Sequence, residues 1–290
     1  MRWYVKAAAA QLLSRAPGGR ALHHFVQRNV TRTLPLPEVD FATRLRAALQ
    51  HLDHAGRDGG TALDSCTFLE FGAGWDLAIP LVYAAAGVPR QVLFDLDPLA
   101  RADLVSISLD RVQRAAPESG GRLDAGRLPA TGPASQGRLR AWLETLGIRY
   151  VAPGDARATG LAAGEVNVVT STATLEHIPS PDIARILAES HRVLKPGGIV
   201  SCQVDMSDHF SHSDSSITPW HFLRFGERAW RLIDPPMLYH NRLRASAHVA
   251  LARAAGFEIA KALSECPTGC DVAREPLPRV HPDYRGFVDR

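Results

Sequence analysis

The chain has 290 residues, 46% hydrophobic and 22% charged, with 33 basic and 30 acidic residues for a net charge of +3. A chain of this length buries a full core without disulfide or metal staples. It has no Lys/Arg block of the kind that grips nucleic acid and no apolar run long enough to span a membrane. Residues 1–60 read as a helical extension. Val5, Leu12 and Leu13 mark an amphipathic helix that breaks around Pro17-Gly18-Gly19; Ala21-Leu22 and Phe25-Val26 mark a second. A third spans 40–53, with Phe41, Leu45, Leu49 and Leu52 on one stripe. The start lacks the long apolar segment of a secretion signal. Four cysteines, Cys66, Cys202, Cys266 and Cys270, show no metal-binding spacing and suit a reducing, cytoplasmic setting.

The run Thr67-Phe68-Leu69-Glu70-Phe71-Gly72-Ala73-Gly74 reads as a strand that ends in an acid and enters a glycine turn. Residues 77–87 continue it as a helix, Pro80 apart. A strand, a tight turn and a helix make a cradle for a nucleotide-like ligand. A second strand, 91–94, closes on Asp95, whose carboxylate suits a ribose diol. Leu77 stands where a dinucleotide fingerprint wants a third glycine, and no Lys-Ser/Thr pair follows the turn, so a pyrophosphate is not the expected ligand. Glu70 repels phosphate and attracts an ammonium group. The two glycines also suit a plain strand–helix turn.

Residues 98–115 form the next helix, with Leu104, Val105, Ile107, Leu109 and Val112 inward. Residues 116–137, rich in Gly, Pro, Ser and Arg, read as an irregular insertion. A short helix covers 138–146, and a strand at 148–152 leads to Pro153-Gly154-Asp155-Ala156. Residues 166–171 are a near-continuous apolar strand of the buried parallel type. Then come Leu175-Glu176-His177-Ile178, a helix over 181–194, Arg192-Val193-Leu194-Lys195-Pro196-Gly197-Gly198 as its stop, and a strand over 199–204. A further helix running to Ala255 opens at Tyr239, and a sixth strand is expected at 257–263; no convincing seventh strand follows.

The acid–Gly–x–Gly turn and the ordered Leu-Glu-His-Ile and Pro-Gly-Gly blocks resemble class I S-adenosylmethionine-dependent methyltransferases. That family's fuller motif wants glycine where Asp76 stands, and an acid where Asn167 opens the fourth strand. The resemblance implies a doubly wound, mainly parallel α/β sheet with an N-terminal helical extension and an insertion after strand five. It divides the chain into a helical extension over 1–60, a cofactor-binding core over 61–205, a substrate-side lid over 206–245 and the rest of the core over 246–290. It further implies S-adenosylmethionine as cofactor, held by Glu70, Gly72, Gly74, Asp95, Asp155, Ala156 and Ser171.

The polar stretch after strand five, 205–214, offers two chemical readings. His209, with Asp208, takes a proton from the acceptor, since imidazole titrates near neutral pH; or Asp205, Asp208, His209 and His212 include ligands for a divalent ion. A solvated loop is the bland alternative. The first reading is the one adopted, with no metal. His212, His221, Arg224, Tyr239 and Arg242 are the candidate substrate contacts, among aromatics (Trp220, Phe222, Phe225, Trp230) that either form a lid or pack a helix. The expected activity is methyl transfer to a small polar metabolite or sugar-like acceptor, in a protein that acts alone or as a homodimer. Rivals are another use of the sulfonium, such as cyclisation or aminocarboxypropyl transfer, and a non-catalytic binding protein.

Overall fold

The computed structural model describes residues 2–15, 28, 33–57, 59–60, 62–264 and 280–287. The chain divides into two compact units, one of Arg32–Leu175 with Ala184–Val204 and one of Met1–Thr31, Glu176–Ile183 and Asp205–Arg290.

The first unit is built on five strands: β1 (Thr67–Phe71), β2 (Arg90–Phe94), β3 (Ile148–Val151), β4 (Val166–Thr172) and β5 (Leu194–Gln203). They lie in the order β3-β2-β1-β4-β5, and every pairing is parallel. The chain moves outward from β1 to β3, then returns across β1 to β4 and β5. With right-handed crossovers, that reversal puts helices on both faces of the sheet and opens a crevice at the carboxyl ends of β1 and β4. The helices are α2 (Glu38–Arg57), α3 (Ala78–Ala85), α4 (Ala102–Ala115) and α5 (Leu139–Glu144). α6 (Ser180–Val193) precedes β5. Central β1 is buried at all five positions, which is why it reads as an unbroken apolar run around Glu70.

The core gathers Phe68, Leu81, Tyr83, Leu93, Val105, Leu109, Ile148 and Val168. Phe41, Ala48, Leu52 and Ala55 of α2 belong to that same core, so the third N-terminal helix is part of the sheet unit and not of an appendage. Its buried His51 bonds Ser201 Oγ (2.7 Å) and Thr172 Oγ1 (3.0 Å), tying α2 to β5 and β4. Burial and the neighbouring His54 push that imidazole down to about 3, so it stays neutral. The 116–137 insertion packs down: Leu123 and Leu128 enter the core, and the Asp124 N–H donates to the Ala85 carbonyl.

The second unit contains α1 (Trp3–Arg15), α7 (Glu227–Ile233) and α8 (Ala245–Ala254). Its core is aromatic: Phe210, Phe222, Leu223 and Trp230 are buried, with Trp3 and Phe225 packed on them. Phe222, Phe225 and Trp230 therefore pack a core and form no lid. Three expectations need correction or lie out of view. Residues 257–263 form no strand; Phe257 and Ile259 are only half-buried and the intervening residues are exposed, so the alternation has no sheet partner. The helix expected from Tyr239 starts at Ala245, because Arg242 sits at φ 58°. The second expected N-terminal helix and both Cys266 and Cys270 fall outside the described residues.

Candidate active site

The glycine turn is built by sterics before any ligand is considered. Gly72 has φ 76°, and a Cβ there would collide with the Thr174 side chain, so glycine is strongly favoured. Its N–H donates to the Phe94 carbonyl, pinning the turn to the end of β2. Gly74 has φ 78° for a different reason: nothing lies within 4 Å of the Cβ it lacks. That is room for a ligand to approach the backbone. Leu77 is also left-handed, at φ 49°, and Asp76 accepts from the Ala78 N–H at the start of α3. Asp76 thus fastens the turn to the start of α3. Pro80 sits in the first turn of α3, where its missing N–H leaves no bond unmade.

Glu70 lies under this turn, 2% exposed, and its Oε2 has no hydrogen-bond partner among the described residues. Burial, then the neighbouring Asp95, pushes its carboxyl up to about 8. Asp95 ends β2 and is also buried. Burial raises it to about 7, while the Tyr150 hydroxyl and the backbone N–H groups of Gly74 and Ala73 pull the other way. Tyr150 Oη donates to Asp95 Oδ2 (3.0 Å) and accepts from the N–H of Leu99 (3.1 Å) and Ala100 (3.3 Å). Tyr150 was not singled out from the sequence; only its register opposite Leu93 on the neighbouring strand hints at it. A buried carboxylate with one oxygen unsatisfied, beside open space and a braced second carboxylate, fits a ligand with an ammonium and a diol.

The other expected cofactor residues fare unevenly. Asp155 and Ala156 do follow β3, but the Asp155 carboxylate is held by Arg157 (2.8 Å), whose hydrogen bonds keep it below the usual carboxylate range. Ser171 is fully buried in β4 and donates to the Phe71 carbonyl (3.2 Å), so it braces β1 and does not face a ligand.

The second unit holds a histidine cluster. The His209 ring stacks on His240 (4.5 Å between centroids) and on His212 (5.1 Å), and meets His177 edge-on at 4.9 Å. Burial lowers His177, His212 and His240, the last to about 2, so these imidazoles are neutral. Asp205 Oδ2 lies 3.3 Å from His209 Nε2 and 3.6 Å from His212 Nε2. Burial pushes Asp205 up, but the neighbouring His209 and the hydrogen bonds from Ser207 outweigh it and hold the acid low. Tyr239 contributes its carbonyl, which His177 Nδ1 meets at 2.8 Å.

Three expected site residues have other duties. Asp208 is 1% exposed and its oxygens take His221 Nδ1 (3.2 Å) and the Phe210 N–H (2.9 Å). His221 in turn lies against Trp3 and Phe225. This pair braces the aromatic core and is not open to an acceptor. Arg242 is buried, donates to the Phe222 and Phe225 carbonyls, pairs with Glu227 (2.9 Å) and stacks on Trp230 and Tyr284. Arg224 is exposed at the end of a 3-10 turn.

Residues 133–202 match the family model described as "Methyltransferase domain". That segment carries β3, β4, α6 and nearly all of β5; the glycine turn and Asp95 lie ahead of it. The sheet order is that of the Rossmann-like fold of class I methyltransferases, and the matched segment is a methyltransferase-domain segment, for which S-adenosylmethionine is the cofactor.

No curated protein matches the chain. Among solved structures, similarity extends to a complex of the Haloferax volcanii Trm112 methyltransferase activator with a candidate methyltransferase, at 17% identity and TM-score 0.44, covering 79% of this chain and 82% of that one. Geranyl diphosphate C-methyltransferase from Streptomyces coelicolor is similar at 15% identity and TM-score 0.31, covering 53% and 42%. The cyclopropane synthase MmaA2 from Mycobacterium tuberculosis is similar at 16% and 0.39, covering 76% and 61%. Likeness at this level says nothing of what this chain acts on. No helix among the described residues is long and apolar enough to cross a membrane.

Proposed function

We propose that the chain transfers the methyl group of S-adenosylmethionine to an oxygen or nitrogen of a small polar acceptor, a metabolite or sugar-like molecule. The observation that carries this reading is the buried, unsatisfied Glu70 Oε2 beneath a glycine turn that faces open space. When bound, the cofactor supplies a methyl on an already activated sulfonium. Glu70 would take the ammonium of its methionine part, Gly74 would let the backbone approach, and Asp95, oriented by Tyr150, would take the ribose hydroxyls. The chain's task is then alignment, with proton removal where the acceptor needs it. The neutral histidines around His209, with His212 and Tyr239, are the groups that support a role in acceptor binding and proton removal.

Product analysis by mass spectrometry tests the reading. Incubation with S-adenosylmethionine and acceptor pools should yield S-adenosylhomocysteine and a methylated product. Methylthioadenosine instead would point to cyclisation or aminocarboxypropyl transfer, and cofactor binding without turnover on any acceptor would make this a binding protein.

A further inference from the structure

We propose that Glu176, His177 and His209 form a site for a divalent first-row transition-metal ion such as zinc, with coordination positions left open for solvent or an oxygen ligand. Each residue offers one ligand atom, and the three atoms lie within 4.8 Å of one another. Ligand atoms around a tetrahedral ion at ~2.1 Å sit roughly 3.4 Å apart, so the three atoms close up by at most about 1.4 Å on binding.

Four further observations point to a ligand. Glu176 is 1% exposed, yet neither carboxylate oxygen has a hydrogen-bond partner among the described residues. Its own N–H and that of Asp205 lie close enough to moderate the effect of burial, but not in hydrogen-bonding geometry. A buried, unsatisfied carboxylate is costly, and an ion would satisfy it. His177 Nδ1 faces the Tyr239 carbonyl at 2.8 Å; a carbonyl only accepts, so Nδ1 carries the proton and Nε2 presents a bare lone pair. Metal-bound histidines are fixed in this way by the carbonyl or carboxylate on their other nitrogen. His209 Nε2 also lacks a hydrogen bond of good geometry, with Asp205 beside it at 3.3 Å. His240 and His212 stack on His209 and hold the plane of its ring.

Two imidazoles and one carboxylate select zinc, manganese, iron or cobalt over magnesium and calcium, which want oxygen. Three protein ligands leave the open positions of a reactive site, where a closed structural site would have four. An ion there lowers the pKa of a bound hydroxyl. That use rests on the methyltransferase reading; the site itself does not.

The test is cobalt titration of the full-length, chelator-stripped protein, read by visible d–d absorption. One equivalent should bind, zinc should displace it, and magnesium should not. Glu176→Gln and His177→Ala should each weaken cobalt binding by at least about 100-fold, beyond the loss seen for residues that only support a ligand. Glu176→Gln keeps the shape of the buried side chain and with it the fold; His191→Ala, on the surface of α6, should bind like the parent. Calorimetry with S-adenosylmethionine on the same variants should show unchanged affinity, which separates this site from the cradle. No stoichiometric cobalt binding, parent-like binding by both variants, an equal loss in His191→Ala, or a preference for magnesium would overturn the proposal.

Discussion

Replacing Glu70 with glutamine tests the cradle through stability and binding together. Glu70 is fully buried and its carboxyl sits at about 8, against an ordinary value of 4.5. At pH 7 the folded protein holds this group protonated while the unfolded chain has it ionised. The folded state binds the extra proton, so stability falls as pH rises from about 4.5 to about 8 and is level beyond. About 2.5 pH units lie between the ordinary value and neutrality, so at 1.4 kcal/mol per unit the loss by pH 7 is about 3 kcal/mol. Glutamine is a neutral stand-in at every pH. Glu70→Gln should therefore match the parent in thermal stability near pH 4.5 and exceed it increasingly toward pH 8. At about 2–4 °C per kcal/mol, the gain at pH 7 is up to roughly 10 °C in Tm. The same change removes the charge that meets an ammonium, worth about 1.5–3 kcal/mol. Cofactor affinity by calorimetry at pH 8 should fall roughly 10- to 150-fold. A Tm difference that stays constant from about pH 5 to 8, or an unchanged Kd, would refute the reasoning.

The two glycines should separate in the same assays. Gly72→Ala combines a left-handed backbone with a collision against Thr174 and should cost about 2–4 kcal/mol of stability by thermal denaturation. Gly74→Ala meets no neighbour and should cost only about 1–2 kcal/mol, yet weaken S-adenosylmethionine binding more than its stability loss suggests; full affinity would remove Gly74 from the cradle. Tyr150→Phe removes the hydroxyl donor of Asp95 and leaves the N–H groups of Leu99 and Ala100 without their acceptor, costing about 1–3 kcal/mol. It should also shift the pH dependence of cofactor affinity upward, because Asp95 ionises less readily; a pH profile matching the parent's would show that Tyr150 does not position it.

What could be read from the chain is what depends on near neighbours. β1, its glycine turn and Asp95 declare themselves because positive φ and strand periodicity act within a few residues. β4, α6 and the Pro-Gly-Gly stop follow for the same reason, although β5 begins earlier than expected and runs through that stop from Leu194. What escaped depends on partners far along the chain. Tyr150 meets Asp95 across 55 positions, and His51 meets Ser201 across 150. Leu175-Glu176-His177-Ile178 served as a family signature, and only the fold brings its acid and histidine to His209. Asp208, His221 and Arg242 looked reactive because polar groups in a loop do; burial among Trp3, Phe222 and Trp230 turns them into internal fastenings. The sixth strand failed because alternation alone does not supply a neighbour to pair with.

Within six residues, 72, 74 and 77 all adopt left-handed backbone angles. A loop so constrained has little freedom left to surrender, so the nucleoside finds its seat ready-made and association should lose little to ordering entropy.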